Sequence, residues 1–296
     1  MISRFAPAPT GYLHLGHVLN AVYVWRTCPR VLLRIEDHDR QRSRPEFDAA
    51  ILEDLDWLGF RWDGPVIRQS TRGDIYSHAL ERLRSQGLVY ACACSRNDIA
   101  ATQAALKGSA TDDTRRVAPA DGASRVAQAF RPADGELAYP GTCRDRRLAD
   151  GPGMTLRLRL EPSVERFVDL RLGPQEQRPY LQCGDLALRD RDGNWTYQFA
   201  ATVDDFEQGI THVVRGEDLL ESTGRQIQLA RLLGRSDPPV FLHHPLIMKP
   251  APLAHAFGPA VKLSKSDCDT GVRDLRAQGW LPEQVIGAAT SSIITP

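Results

Sequence analysis

Ile2-Ser3-Arg4-Phe5-Ala6-Pro7-Ala8-Pro9-Thr10-Gly11-Tyr12-Leu13-His14-Leu15-Gly16-His17 decides how this chain is read. Ile2 to Phe5 reads as a strand, and Pro7 and Pro9 end it, because proline cannot donate to a ladder and restricts the residue before it. Gly11 frees the turn, and Leu13 to Arg26 has the length and apolar spacing of a helix. His14 and His17 then fall in the first turn of that helix, three residues apart on one face. A helix start presents unpaired N–H groups and the positive end of its dipole, and Gly16 has no side chain to keep a ligand off the backbone. This combination predicts a phosphate site. Far downstream, Lys262-Leu263-Ser264-Lys265-Ser266 sets two ammonium groups three residues apart, after a Pro/Ala/Gly-rich approach from Pro250 to Ala260 that reads as a mobile loop. The lysines are expected to close on the polyanion that the histidines hold.

Working outward, Val31 to Asp37 is a short apolar run ending in charge, a second buried strand. Strand, helix, strand implies a parallel pair with a right-handed crossover, the opening unit of a doubly wound sheet that binds ligands at its carboxyl ends, where Glu36 and Asp37 lie. Pro45 to Leu58 and Arg72 to Gln86 read as helices, the second closed by Gly87. From Lys107 to Glu136 periodicity fades into an Ala/Asp/Arg/Gly/Pro-rich, irregular insertion. Alternation returns in Thr155 to Leu160 and Phe167 to Leu170 as strands. Thr196 to Asp205 is a helix or a strand leading to a strand over His212 to Asp218. Thr223 to Leu233 is a helix stopped by Gly234, and Asp274 to Ala288 is helical with a break at Pro282.

The expected fold is therefore α/β, a doubly wound parallel Rossmann-type sheet with an inserted α+β subdomain and a short C-terminal helical segment. Its expected parts are 1–90 and 181–240 as the two halves of the catalytic domain, 91–180 as the insertion, and 241–296 as the lysine-motif loop with its helical segment.

The chain has 296 residues, 42% of them apolar, enough for a substantial core. Its 37 basic side chains balance 37 acidic ones, so an RNA partner must be met by local patches such as Arg144, Arg146 and Arg147. No apolar run reaches the roughly 20 residues that span a bilayer, and no signal-peptide pattern precedes the first strand, so a cytoplasmic protein without a membrane partner is expected. There the six cysteines should stay reduced or bind metal.

His14-Leu15-Gly16-His17 resembles the HIGH motif of class I aminoacyl-tRNA synthetases, and Lys262-Leu263-Ser264-Lys265-Ser266 resembles their KMSKS motif. Arg4 to Gly11, Arg34-Ile35-Glu36-Asp37 and Val214-Arg215-Gly216-Glu217-Asp218 are similar to the glutamyl-tRNA synthetase branch. The resemblance implies ATP, with Mg²⁺, on His14, Gly16, His17 and Lys265, and catalytic roles for His14, His17, Lys262 and Lys265. It implies an L-glutamate pocket formed by Arg4, Phe5, Ala6, Pro7, Ala8, Glu36, Tyr197 and Arg215, with Glu36 meeting the amino group. Such a substrate calls for an arginine fork and an acid, although Arg4 and Glu36 could pair with one another and Tyr197 could be a core aromatic.

Full-length enzymes of that branch carry a helical anticodon-binding region after the lysine motif. About 30 residues follow it here, so the chain resembles the truncated branch, in which glutamate is attached to queuosine at the first anticodon position of tRNA(Asp). The implied partners are glutamate and queuosine-bearing tRNA(Asp), acting on a monomer without an anticodon-binding domain. A shortened glutamyl-tRNA synthetase charging tRNA(Glu), a nucleotidyltransferase of the same fold and a non-catalytic RNA-binding paralogue are the alternatives. The truncated branch also resembles this chain in Cys92-x-Cys94 and Tyr139-x-x-x-Cys143, which implies Zn²⁺ held by Cys92, Cys94, Tyr139 and Cys143. Reduced core thiols are the other reading. Cys28, Cys183 and Cys268 lack partner spacing, and His243 and His244 read as structural.

Overall fold

A computed structural model describes residues 1–39, 41–109, 137–247 and 271–291. β1 (Ile2–Phe5) pairs in parallel with β2 (Arg30–Ile35), with Ile2 opposite Arg30, and β2 pairs in parallel with β3 (Ile67–Arg68). The connection from β1 to β2 is helix α1 (Leu15–Thr27), and α2 (Pro45–Trp57) precedes β3. α1 starts two residues later than the apolar spacing predicts, because His14 caps it from an extended backbone. Val18, Leu19, Val22 and Val24 of α1 bury against Phe5, Leu33 and Ile35 of the strands and Ile51 and Leu55 of α2.

α3 (Gly73–Ser85) leads to β4 (Val89–Cys92), which forms a separate antiparallel sheet with β5 (Thr155–Leu158). α4 (Arg96–Ser109) lies between them in sequence and runs past Lys107, where the loss of periodicity placed the start of irregular chain. β6 (Glu165–Asp169) and β7 (Gly173–Gln177) form a hairpin, followed by α5 (Pro179–Cys183) and then β8 (Leu186–Arg189), which completes the antiparallel sheet in the order β4-β5-β8. α6 (Tyr197–Glu207) settles the Thr196–Asp205 segment as helix, capped by Thr196, whose hydroxyl accepts from Phe199 N–H. Beyond it come β9 (His212–Gly216), α7 (Thr223–Leu232) and β10 (Val240–His244).

β10 pairs in parallel with both β9 and β6, giving a second sheet ordered β7-β6-β10-β9. Sheet membership therefore does not follow the bounds 91–180: β6 and β7 join the strands of the second half, whereas β8 belongs with β4 and β5. The parallel β1-β2-β3 sheet and the four-stranded sheet meet where β1 lies beside β9. Thr211 N–H donates to Ile2 O at 2.9 Å, and Ile2 N–H donates to Thr211 Oγ1 at 2.8 Å. Chain order reverses between β1 and β9, the switch point at which a doubly wound sheet opens its crevice.

α8 (Val272–Ala277) and α9 (Pro282–Ser291) return to this crevice, with the break at Pro282 as the sequence predicts. Val272, Leu275, Val285 and Ala289 join the core of α1 and α2. Each large aliphatic side chain so buried contributes roughly 1.5–3 kcal/mol, which ties the end of the described chain to its beginning. No helix among the described residues is long and apolar enough to cross a membrane.

Candidate active site

The two histidines together cap the start of α1. His14 Nδ1 accepts from Gly16 N–H at 3.1 Å, and His17 Nδ1 accepts from His14 N–H at 3.1 Å, with the rings 3.9 Å apart. His14 is thus the N-cap and His17 the third helical residue, a capping box made from imidazoles instead of hydroxyl and carboxylate. An imidazole that accepts at Nδ1 carries its proton on Nε2, so both rings turn donors away from the backbone they cap. Gly16 is required by this arrangement: a Cβ there would sit 2.9 Å from His14 Cε1. Lys262 and Lys265, together with the Lys249–Val261 stretch and Cys268, lie outside the described residues.

At the end of β1, Arg4 is buried, and its Nε donates to Asp205 Oδ1 at 2.9 Å while Nη1 donates to Val214 O at 3.3 Å. Arg34, the next-to-last residue of β2, is fully buried; it donates to the same Asp205 oxygen at 2.7 Å and to Glu36 Oε1 at 3.0 Å. Arg4 and Glu36 therefore do not pair with each other. They are the ends of an alternating chain, Arg4–Asp205–Arg34–Glu36. Burial alone would lower the Arg34 pKa, but Asp205, Glu36 and Asp204 hold it above the ordinary arginine value. Burial likewise raises the Asp205 carboxyl, and Arg4 and Arg34 outweigh it and bring it below the usual range. Asp204, also fully buried, accepts from Gln69, Arg72 and Tyr76 at 2.7, 2.6 and 2.9 Å.

Phe5 packs its ring into the core against Trp25, so only its backbone is available to a ligand. Pro7 O accepts from Glu36 N–H at 3.0 Å, which holds the Ala6–Ala8 turn beside the end of β2. Tyr197 opens α6, and its phenol is raised by burial and by the Glu36 carboxylate.

Arg215, on β9, is held by uncharged acceptors. Nη1 donates to Gln226 Oε1 at 2.7 Å, Nη2 to Thr223 Oγ1 at 2.8 Å and Nε to His243 Nε2 at 3.0 Å. Burial keeps its pKa below the ordinary arginine value. For His243 to accept at Nε2, its proton must be on Nδ1, which donates to Asp169 Oδ2 at 2.7 Å. Burial and the Arg215 charge push the His243 pKa down to about 4, in keeping with a neutral ring. His243 thus orients a pocket residue as well as belonging to the core.

Arg34, Asp204, Asp205, His243 and Asp169 carry this site without having been singled out for it. A signal was present: a charged residue inside a buried strand, and two adjacent acids inside the apolar Tyr197–Phe206 segment, each demand a buried partner.

The thiol cluster forms at the end of β4. The sulfurs of Cys92, Cys94 and Cys143 lie within 4.8 Å of one another, with Cys94 and Cys143 at 3.6 Å. Tyr139 Oη accepts from Cys92 Sγ at 3.3 Å and from Cys143 N–H at 2.7 Å, and stands 4.0 Å from Cys94 Sγ. Zinc–sulfur bonds of about 2.3 Å give a tetrahedron with edges of about 3.8 Å, so three sulfurs and one oxygen at these separations fit zinc in both chemistry and size. Burial raises the Cys143 thiol, but hydrogen bonds led by the one from Ala93 N–H bring it down to about 7. The Arg157 guanidinium covers the Tyr139 ring at 3.7 Å. Gly184, at φ 64°, lets the chain pass: a Cβ there would fall 2.0 Å from Tyr139 O. Of the basic patch, Arg144 is taken up by Asp185 and Glu161, while Arg146 and Arg147 are exposed.

Residues 1–291 match the family described as tRNA synthetases class I (E and Q), catalytic domain. The chain belongs to this family. Among curated relatives of this synthetase family, a Glutamyl-Q tRNA(Asp) synthetase of Bordetella bronchiseptica is 40% identical over 305 residues, covering 100% of this chain and 85% of the relative. One from Rhodobacter capsulatus is 42% identical over 301 residues, covering 96% and 98%. Among solved structures, a glutamate-tRNA synthetase from Elizabethkingia anophelis superposes with a TM-score of 0.72 at 26% identity, covering 98% of this chain and 61% of that one. A glutamate tRNA ligase from Elizabethkingia meningosepticum, in complex with its amino acid, gives 0.72 at 28% identity, covering 98% and 60%. The chain thus spans about three fifths of the solved synthetases it resembles.

Proposed function

We propose that the protein activates L-glutamate with ATP to glutamyl-adenylate and transfers the glutamyl group to queuosine at the first anticodon position of tRNA(Asp). The observation that carries the first step is the pocket at the ends of β1 and β9, where Arg215 sits in an uncharged cradle and Glu36 ends an ion-pair chain. A buried guanidinium whose hydrogen-bond acceptors are neutral favours a carboxylate, and a buried acid favours an ammonium. Glutamate offers both.

Its α-carboxylate is already ionised at neutral pH, so no strong base is needed. One carboxylate oxygen attacks the α-phosphorus, and the bond to the β-phosphate bridging oxygen breaks, with its electron pair leaving on pyrophosphate. Donors on His14 and His17, the α1 N-terminus and, by the family resemblance, Lys262 and Lys265 stabilise the charge that builds on the phosphates; such donors are worth several kcal/mol in a dry site. Mg²⁺ accompanies the nucleotide, held mainly by phosphate oxygens and water.

Cys92, Cys94 and Cys143, with Tyr139 as the fourth ligand, would hold zinc, which would supply a structural crosslink between the end of β4 and the 139–143 turn. The acceptor reading is supported by the relatives named Glutamyl-Q tRNA(Asp) synthetase. Its test offers radiolabelled glutamate to tRNA(Asp) with and without queuosine and to tRNA(Glu). The expected result is label on the queuosine-bearing tRNA alone. Charging of tRNA(Glu) would replace this reading with that of a shortened glutamyl-tRNA synthetase.

A further inference from the structure

Asp54, near the end of α2, is wholly buried, and neither of its carboxylate oxygens has a hydrogen-bond partner among the described residues. Arg273 Nε stands 3.9 Å from Oδ1, close enough for attraction and too far for a hydrogen bond. Burial pushes the Asp54 carboxyl up to about 6, against the pull of Arg273 and Arg276 and with Glu53 adding to the rise. A carboxylate buried in this way costs stability, and an uncharged side chain of the same size would fill the space as well. Stability alone does not account for an acid here.

Its facing cation shows what it serves. Arg273 pairs with Glu53 of α2, and its guanidinium covers the Tyr12 ring at 5.2 Å. Tyr12 in turn meets Phe47 of α2 edge-on at 4.9 Å. One residue earlier, Val272 N–H donates to Leu13 O at 2.8 Å, and Gly271 forms an antiparallel bridge with His14. Arg276 lies over Trp57 of α2 at 5.4 Å. The start of α8, the Tyr12–His14 segment and α2 are thus fastened at one place, with Asp54 as the anion beneath.

We propose that Asp54 is a positioning residue for nucleotide binding: its charge holds Arg273, and Arg273 and Tyr12 hold the segment that ends in His14 in the register the phosphate site needs. The inference rests on the reading of His14 and His17 as the ATP site.

The test compares wild type with Asp54→Asn, which keeps shape and removes charge, in pyrophosphate exchange, in calorimetric titration with Mg·ATP and in thermal unfolding. The KM and Kd for ATP are expected to rise about five- to tenfold while the glutamate KM stays within about twofold, a split that a general loosening of the fold does not produce. The melting temperature should stay level or rise, because a buried, unpaired charge has gone. Arg273→Gln, at a side chain 40% exposed and safe for folding, should give the same split, and the double variant should lose no more than either single one. Unchanged ATP affinity in Arg273→Gln, or parallel rises in both KM values with a lower melting temperature, would overturn the inference. A wild type that binds ATP but shows no glutamate-dependent exchange would remove the proposed function and leave the ATP comparison to decide the role of Asp54.

Discussion

The proposed glutamate pocket and the thiol cluster each gather several ionisable side chains, but they satisfy them by different means. In the pocket every charge is met by a partner from another element: Arg4 and Arg34 share Asp205, Arg34 also reaches Glu36, and Arg215 is cradled by Gln226, Thr223 and His243. In the thiol cluster the sulfurs and the phenol meet mainly one another, with backbone N–H groups of Ala93 and Cys143 beside them. The apolar group around it comprises Tyr90, Cys92, Ile99, Tyr139 and Cys143, so three of its five members are the candidate ligands themselves. The pocket side chains are held by protein partners, while under the zinc proposal a metal would hold the chain segments of the cluster together.

The most damaging way to break the proposed pocket is to remove Arg215, the cation assigned there to the substrate carboxylate. Arg215→Ala should lower glutamate-dependent pyrophosphate exchange by about a thousandfold, as expected for loss of a charge-assisted, bidentate contact, with the circular dichroism of the fold unchanged. Asp205→Ala strikes the preorganisation itself. It strands Arg4 and Arg34 together and should cost about 3–5 kcal/mol in denaturant unfolding, the usual scale for breaking a buried pair. Because Arg4 and Arg34 depress the Asp205 carboxyl, its contribution is present above the unfolded carboxylate pKa and is lost as pH falls through the lower folded value.

Chelation sharpens the contrast from the other side. Stripping zinc, or making Cys143→Ser, should expose the 139–143 turn to protease while ATP affinity stays within about twofold, since the histidine site lies on another sheet. Gly184→Ala should weaken zinc about 10- to 100-fold in competition with a chelator, the scale of second-layer effects at metal sites, because the added Cβ displaces Tyr139.

The smallest expected effect is a pH limb. His243 is neutral in the fold with a pKa near 4, against 6.5 when unfolded, so the unfolded chain binds more protons between these values and stability should fall as pH drops from about 6.5 toward about 4. His243→Gln, which keeps an acceptor for Arg215 and a donor for Asp169, should flatten that limb in pH-dependent melting and leave the glutamate KM within about threefold of wild type.

The fold was legible where short-range rules apply. Prolines ended β1, a helix with His14 and His17 near its start followed, and an apolar run ending in Glu36 and Asp37 marked β2, so the parallel unit could be read from residues 1 to 37, although the histidine cap itself could not. The Cys-x-Cys and Tyr-x-x-x-Cys elements stood out through the family resemblance, and the structure brings all four side chains together. The ion-pair chain was not legible, because Arg34 and Asp205 lie 171 positions apart and no local pattern links them. Sheet membership of β6, β7 and β8 was hidden as well: alternation marks a strand but says nothing about which strand it pairs with. His243 read only as structural, and the approach of β9 to β10 reveals that it hydrogen-bonds Arg215.

The most direct test of the preformed pocket is exchange of radiolabelled pyrophosphate into ATP by the purified protein with no RNA present, using glutamate, glutamine and aspartate in turn. A pocket complete in the protein alone predicts exchange with glutamate and background rates with the other two. Exchange that appears only when tRNA is added, or that glutamine supports equally well, would contradict it.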